Sequence, residues 1–291
     1  MIIDAHTHLW KRQNGIVNGK PVFAIGGGKS SFGGEIRQML PPYLINSENT
    51  AEILASNMDY AGVSGAVVTQ EIIDGNQNKY LLEAKKAFPD RLKICSFYNE
   101  SGLPDVKGFD GIKICAGRLR EQDLLKHEAV FTLANRHNMF VSIDLADGDA
   151  QTGAMREIIA QLPQLKIAIG HFGTVTREGW KEQIKLARNK NVFIECGGIT
   201  WLFNDEFYPY PSAVRAICEA ADEVGFDKLM WGSDYPRTMT AITYKMSLDF
   251  IEKTKLISEN DKRTFLGKNA QGFYGFGELT VPERIKNMAE D

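Results

Sequence analysis

The sequence predicts an α/β protein folded as a closed (β/α)8 barrel (a TIM barrel), with a long glycine-rich lid loop after the first strand. Short apolar, β-like runs alternate with amphipathic segments, and the runs number eight. Strands joined through helices must run parallel, because each connection crosses over the sheet. An open doubly wound sheet is the alternative. The chain has 291 residues, and one such barrel typically needs about 250.

The eight runs fall at regular intervals along the chain. The expected strands are residues 2–6 (IIDAH), 64–70 (SGAVVTQ), 92–98 (LKICSFY), 111–115 (GIKIC), 139–145 (MFVSIDL), 166–172 (KIAIGHF), 191–196 (NVFIEC) and 228–234 (KLMWGSD). The expected helices are residues 47–60, 78–88, 121–137, 152–162, 180–190 and 213–224. In the first helix, Ser47 is the expected N-cap, and Ile53, Leu54 and Met58 form an apolar stripe.

Residues 9–46 interrupt this alternation and contain AIGGGKSSFGG at 24–34. A phosphate-binding loop is disfavoured, because position 23, where its first glycine would stand, is Phe23, and Pro41 and Pro42 follow where a helix would be needed. We expect a mobile lid over the barrel mouth instead. Residues 1–276 are predicted to form the single barrel domain, and residues 277–291 a polar C-terminal extension.

The overall charge argues against polyanionic partners. The net charge of −3 is not the excess of positive charge expected of a protein that binds nucleic acid or an anionic membrane surface. No apolar stretch approaches the roughly 20 residues that span a bilayer, and no secretory leader is recognised. Four cysteines without a CxxC pair, three of them in strand-like runs, indicate reduced thiols. A cytoplasmic location is expected.

Titratable residues concentrate at the predicted strand ends, where barrel enzymes carry their active sites. These residues are His6, His8, Lys113, Asp144, His171 and Asp234. His6 and His8 share one face of the first strand, since side chains alternate along a strand. Together they can hold a divalent metal such as zinc or manganese, or grip an oxygen-rich ligand directly. Asp234 can take a proton from water, and a metal-free route through imidazoles and cations is also workable.

Three motifs carry a resemblance to a known family. DAHTH (4–8), AIGHFG (168–173) and LMWGSDYP (229–236), in this order, resemble the metal-dependent amidohydrolase superfamily, in its amidohydrolase-2 branch. The resemblance covers about residues 1–276. That branch includes sugar lactonases, pyrone-dicarboxylate lactonase and non-oxidative decarboxylases. It implies that His6 and His8 are metal ligands, that His171 is a ligand or polarises the substrate, and that Asp234 is a general base or acid and often a ligand.

The sequence departs from the decarboxylase-like members in two places. Asp144 stands where those members tend to have a histidine ligand, so Asp144 is either a metal ligand or the cap of the next helix. The end of strand seven, ECGG (195–198), also lacks a histidine that some relatives have in the following strand. Both features resemble the lactonases, some of which work without a tightly held metal.

Several residues are candidates for substrate binding. They are Lys113, Arg118, Arg237, Trp201 and Tyr208. The cations suit a carboxylate on the substrate, and the aromatics either line a pocket for a ring or pack their loop. Three interpretations of Lys113 remain open: substrate binding or an ion pair, a carbamylated lysine that bridges two metals, or a structural role. Arg237 is either a substrate anchor or a solvated charge.

We expect a hydrolase that opens a small cyclic ester of a sugar acid or a carboxylated ring. The alternatives are a metal-dependent decarboxylase of an aromatic or enoic acid, in which Asp234 delivers a proton to carbon, an amide hydrolase, and a non-catalytic ligand-binding barrel. The expected partner is a small anionic or cyclic molecule, with no nucleic acid or membrane. A homodimer is compatible with a barrel of this size.

Overall fold

The computed structural model describes residues 1–288 and contains a barrel of eight parallel strands in sequential order. The twelve strands of the described chain are β1 (Ile3–His8), β2 (Ile16–Val17), β3 (Lys20–Gly26), β4 (Lys29–Phe32), β5 (Glu35–Gln38), β6 (Gly65–Thr69), β7 (Leu92–Tyr98), β8 (Gly111–Ile114), β9 (Phe140–Ile143), β10 (Lys166–Ile169), β11 (Val192–Glu195) and β12 (Leu229–Met230). β1 and β6–β12 form the barrel, which confirms the predicted fold class and each of its strands.

The last predicted strand is shorter than expected. Residues 231–235 leave the regular ladder after β12 but still pair with β1, through Ala5 N–H to Trp231 O (2.9 Å) and His8 N–H to Tyr235 O (2.8 Å). Asp234 N–H donates to His6 O (3.0 Å) in the same seam. These bonds close the barrel between its last and first strands.

Helices connect the barrel strands, except β7 and β8, which are joined by the irregular segment 99–110. The helices are α1 (Ala51–Ala61), α2 (Asn78–Ala87), α3 (Glu128–Arg136), α4 (Thr152–Gln161), α5 (Trp180–Ile184), α6 (Ile199–Leu202), α7 (Pro211–Val224), α8 (Met246–Lys253), α9 (Glu259–Arg263) and α10 (Asn269–Tyr274). None of the helices within residues 1–288 has the length and apolar character needed to cross a membrane.

The expected start of α1 is wrong. The N-cap position is Thr50, and Ser47 has a left-handed backbone conformation with φ of 54°. The reason lies in tertiary pairing: Asn49 exchanges two backbone hydrogen bonds with Trp10, both of 2.9 Å. That pairing holds the chain extended up to residue 49, so that the helix begins only at Ala51.

The lid is a sheet and not a loop. β2–β5 form an antiparallel meander, and glycines with positive φ at its turns include Gly27, Gly28, Gly33 and Gly34. A Cβ on Gly28 would lie 2.4 Å from Leu40 O, so this turn requires glycine. The sequence carries little signal for β3, because Val22–Ile25 are consecutive apolar residues and only their burial alternates in the structure.

The apolar core has two parts that leave one end of the barrel free for chemistry. Inward-facing Ile3, Val67, Cys95 and Met230 pack with Phe273 and further residues of α10 and the following segment. A larger cluster lies between the strands and the surrounding helices. Within the predicted C-terminal extension, Leu279 is buried in the first cluster, whereas Val281, Ile285 and Met288 are exposed. The end of the predicted extension, 289–291, lies outside the described residues.

Asp4 ties the closing seam together. Its Oδ1 accepts from the backbone N–H of His6 (3.1 Å) and of Ser233 (2.9 Å). Its Oδ2 accepts from Ser233 Oγ (2.5 Å) and from the hydroxyl of Tyr244 (2.8 Å). One fully buried carboxylate therefore connects β1, the segment after β12 and the chain entering α8.

Replacing Asp4 tests this connection. Asp4→Ala leaves several buried donors without an acceptor, so we expect the free energy of unfolding to fall by about 3 kcal/mol. Urea denaturation measures the change, and exposed Glu48→Ala is the matched control, expected to stay within about 0.5 kcal/mol of the wild type. A loss below about 1 kcal/mol for Asp4→Ala would contradict the role given to this carboxylate.

Candidate active site

His6, His8 and Asp234 converge at the C-terminal end of the barrel. The Nε2 atoms of His6 and His8 lie 3.1 Å apart. Asp234 Oδ1 lies 3.2 Å from His8 Nε2 and 3.8 Å from His6 Nε2. All three side chains are buried, and their ligand-type atoms lie within 4.8 Å of one another.

Glu195, at the end of β11, orients His6. Its Oε1 lies 2.6 Å from His6 Nδ1, and its Oε2 accepts from Gly197 N–H (2.5 Å). Because a carboxylate only accepts, His6 carries its proton on Nδ1 and presents the Nε2 lone pair to His8 and Asp234. Glu195 is not among the site residues predicted from the sequence, although an acid that ends an apolar strand of a barrel is itself a signal.

His8 faces a second carboxylate on its other side. Its Nδ1 lies 3.3 Å from Asp74 Oδ2, but without hydrogen-bond geometry. Burial and the Arg237 charge lower the pKa of His8, but interactions with Asp234 and Asp74 outweigh them and raise that pKa. Asp74 is likewise not among the site residues predicted from the sequence, since it follows β6 within an irregular segment.

Lys113, Asp144 and His171 form the opposite side of the site. Lys113 is fully buried, and its Nζ lies 2.6 Å from Asp144 Oδ1. Asp144 Oδ2 lies 3.5 Å from His171 Nε2. Of the three interpretations of Lys113, the structure shows the ion pair, which is formed with Asp144. Asp144 caps no helix, because the N-cap of α4 is Gln151.

The ring of His171 lies over His6, with a distance of 4.7 Å between ring centroids. His171, Phe172 and Thr174 all have φ near 55°, so the chain turns sharply after β10 and directs the imidazole into the barrel mouth. His171 Nδ1 donates to Gly197 O (2.9 Å). Burial alone would lower the pKa of His171, but the charge of Asp144 raises it to about 10.

Asp234 is surrounded by donors. Its Oδ2 accepts from Trp201 Nε1 (2.8 Å), and Arg237 Nη1 lies 3.6 Å from its Oδ1. Burial alone would raise the pKa of Asp234, but the hydrogen bond from His8 and the charges of Arg237 and His171 hold that pKa well below its usual range. Asp234 is therefore ionised, and its oxygens accept the surrounding hydrogen bonds.

The remaining substrate-binding candidates differ in their positions. Arg237 is not solvated: its Nη2 contacts Asp74, with two bonds of 2.9 Å, and Glu71 (3.0 Å), whereas its Nε and Nη1 are buried without a hydrogen-bond partner. Arg118 Nε lies 2.7 Å from Glu71 Oε1. Tyr208 does not line the cleft: its ring packs against Tyr210 and under Lys253 instead.

A cleft of about 910 Å³ opens above these residues. Its lining includes Asp144, His171, Trp201, Asp234, Arg237 and Arg118 from the barrel, and Phe32, Arg37 and Met39 from the lid segment. Acidic, cationic and aromatic groups thus share one cavity, large enough for a small-molecule substrate. The lid sheet forms part of its wall.

The donor set suits a divalent metal ion. With His6 Nδ1 protonated towards Glu195, His6 Nε2 and Asp234 Oδ1 present lone pairs to one space, and His8 Nε2 becomes a third ligand atom once the proton that it shares with Asp234 is displaced. Two imidazoles and one carboxylate are a common ligand set for zinc and manganese. A second set, His6 with Asp144 and His171, also lies within 4.8 Å, but Asp144 is already committed to Lys113.

Comparison with known proteins gives one family and many similar folds. The family model described as Amidohydrolase matches residues 3–276. No curated protein sequence matches the chain. A probable 2-pyrone-4,6-dicarboxylic acid hydrolase from Acinetobacter baumannii, solved with citric acid bound, is 20% identical with a TM-score of 0.67, and the match covers 94% of this chain and 99% of that one.

Two further solved structures are similar. A zinc-bound amidohydrolase from Burkholderia multivorans is 13% identical over 95% of this chain and 100% of that one, with a TM-score of 0.69. A 5-carboxyvanillate decarboxylase from Novosphingobium aromaticivorans, complexed with manganese and a nitrobenzoic acid, is 16% identical over 76% and 79% of the two chains, with a TM-score of 0.53. At these identities the structures show a common fold.

The contact between Glu195 and His6 generates a prediction about metal affinity. Glu195→Gln keeps the shape of the side chain but removes the charge that holds His6 Nδ1–H, so zinc affinity should fall about 10- to 100-fold. Competition with a chromophoric chelator measures it. Exposed Glu178→Gln serves as the control and should leave the affinity unchanged. Equal affinity in Glu195→Gln and wild type would refute this assignment.

Proposed function

Because this chain belongs to the amidohydrolase family, we propose that it is a hydrolase that opens a small cyclic ester whose ring carries a carboxylate. One observation carries the proposal: the ionised Asp234 carboxylate and the His171 imidazole meet in a single cleft, on either side of His6. A proton acceptor and a cationic donor are the two groups that water attack on an ester carbonyl requires.

Asp234 is assigned as the general base. Its Oδ2 is fixed by Trp201 and its Oδ1 faces His8, so the carboxylate is oriented before substrate arrives. A water within hydrogen-bond reach can transfer its proton to Asp234 as its oxygen attacks the carbonyl carbon. The same proton can then pass to the ring oxygen that leaves, which completes the ring opening.

His171 is assigned to the carbonyl oxygen. As an imidazolium, it places a donor near the position where negative charge develops, and Asp144 stabilises that charged form. Lys113 in turn neutralises Asp144 from within the barrel, so the carboxylate is shared between two cations. This arrangement supplies an oxyanion donor that needs no metal.

His6, His8 and Asp234 would hold a divalent ion, zinc or manganese. Such an ion supplies Lewis-acid activation of water and of the carbonyl oxygen. Glu195 then maintains the Nδ1–H form of His6 that ligation requires, and Asp74 lies beside the Nδ1 of His8. The residues thus support both a metal-assisted and a metal-free route.

The choice of a cyclic ester draws on one of the similar structures. The protein from Acinetobacter baumannii is named as a hydrolase of 2-pyrone-4,6-dicarboxylic acid, and a 2-pyrone is a cyclic ester. Arginines in the cleft, among them Arg118, are consistent with an acidic substrate. These points support a carboxylated lactone as the substrate class.

Decarboxylation is the second candidate, since one similar structure is a 5-carboxyvanillate decarboxylase. In that reaction Asp234 would have to deliver a proton to carbon. The donors around Asp234 (Trp201, His8 and Arg237) favour its ionised form, whereas protonation of carbon requires Asp234 to begin that step as the neutral acid. The surroundings of Asp234 therefore favour hydrolysis.

Asp234→Asn tests the proposed base. We expect kcat for a carboxylated lactone to fall about 10²- to 10⁴-fold, because the amide cannot accept the proton from water. A panel of lactones assayed by proton release measures the loss, and a parallel assay for carbon dioxide detects decarboxylation. Exposed Asp90→Asn should retain full activity.

The outcomes separate the candidate functions. Release of carbon dioxide in the wild type, abolished in Asp234→Asn, would replace hydrolysis by decarboxylation. Ligand binding without turnover of either kind would indicate a non-catalytic barrel.

A further inference from the structure

Arg37, on the lid sheet (β2–β5), lines the cleft but has no role in the proposed reaction. Arg37 on β5 lines the cleft together with Phe32 of β4. We propose that Arg37, held against Phe32, is a carboxylate-binding subsite that selects substrates with a carboxylate at the lid side of the ring. This inference rests on the proposed function for its substrate, but its geometry and its test are independent of turnover.

The guanidinium of Arg37 is held in place by its own sheet. Its carbon lies 4.5 Å from the centroid of the Phe32 ring, and its Nε and Nη2 both donate to Glu35 Oε2, at 2.9 and 2.7 Å. Stacking on an aromatic face restricts the rotamers of a long side chain and leaves its polar edge available. These hydrogen bonds use Nε and Nη2 of the guanidinium, so Nη1 remains available to a ligand.

The inward face of the lid carries Arg37. In the β4–β5 ladder, Ser30 is opposite Arg37, and Phe32 is opposite Glu35, so all four side chains share one face. Ser30 Oγ donates to Gln13 Oε1 (2.7 Å), which identifies that face as the one directed at the barrel. The outer face of the lid carries Phe23, Ile25 and Ile36, which are exposed.

The lid is anchored to the catalytic cluster. Gln13, which accepts from the lid at Ser30, donates through Nε2 to Asp74 Oδ1 (3.1 Å). Asp74 is the carboxylate that also binds Arg237 and lies beside His8. The position of β5, and of Arg37 on it, is therefore linked to the position of the reacting groups.

The other arginines of the cleft are less available. Arg237 is largely buried, and its Nη2 pairs with Asp74 and Glu71, so moving it would leave those buried charges unpaired, although its Nε and Nη1 have no hydrogen-bond partner. Arg118 is paired with Glu71, which is only 13% exposed.

The counter-ion of Arg37 is, by contrast, in water. The Glu35 side chain is 66% exposed, and ion pairs at such positions contribute little. A substrate carboxylate can replace Glu35 or add to the free edge of the fork. Arg177 has a similarly exposed partner, Asp147, but its guanidinium is not stacked on any ring in residues 1–288.

Binding of two unreactive probes tests the subsite. Isophthalate presents two carboxylates on a flat ring and benzoate presents one, so their affinity ratio isolates the second carboxylate. Titration calorimetry on the full chain should show that the wild type prefers isophthalate by about tenfold or more, as one charge-assisted, two-pronged contact supplies. Arg37→Gln should bring this ratio close to one, and Arg37→Lys should restore part of it.

The control is Lys29→Gln, which removes the same charge from an exposed position of the same sheet outside the cleft lining. It should keep the wild-type ratio. An isophthalate preference that survives in Arg37→Gln, or no preference in the wild type, would overturn the inference. A protein that opens no lactone yet shows the Arg37-dependent ratio would support the subsite and contradict only the proposed reaction.

Discussion

The pairing of β1 with the segment after β12 is the constraint on which the site depends. Asp234 N–H donates to His6 O, and His8 N–H donates to Tyr235 O. These bonds fix the register between β1 and the segment that follows β12. Asp234 itself has φ of 57°, which turns its side chain towards the paired imidazoles. A shift of one residue in β1 would direct His6 and His8 to the other face of the sheet, because side chains alternate along a strand.

Buried charges around this seam are stable only because they are paired. Asp74 pairs with Arg237 and Asp144 pairs with Lys113, while the Glu195 carboxylate accepts a hydrogen bond from the neutral His6 ring. Taking such groups out of water is costly, and replacing a buried ion pair by apolar residues is often neutral or stabilising. A barrel that needed only stability would not require three such contacts in one cavity. Their concentration at a single end of the barrel agrees with a catalytic role.

Much of this arrangement could be predicted from the sequence. The positions of His6, His8, His171 and Asp234 at strand ends follow from the alternation of strands and helices, and parallel strands in a barrel bring their carboxyl ends together. Local patterns therefore predicted the fold class and the main cluster. The same reasoning identified the lid as a distinct segment but gave it no strands, because its glycines serve the turns of an antiparallel sheet.

Other features depend on contacts between distant residues. Glu195 reaches His6 across 189 positions of sequence, and Arg237 meets Asp74 across 163. No periodicity within the chain encodes such pairs. Ser47 fails as a helix cap because Asn49 pairs with Trp10, and Tyr208 points to its own loop for reasons of packing. The sequence identifies residue types suited to chemistry, and tertiary pairing determines which of them meet.

We propose that His6, His8 and Asp234 form one divalent-metal site. Elemental analysis by mass spectrometry, on protein purified without added metal or chelator, tests it most directly when wild type and His6→Ala are measured together. We predict about one zinc or manganese ion per chain in the wild type and its loss in the variant. Absence of metal from both proteins, or equal metal in both, would contradict the claim.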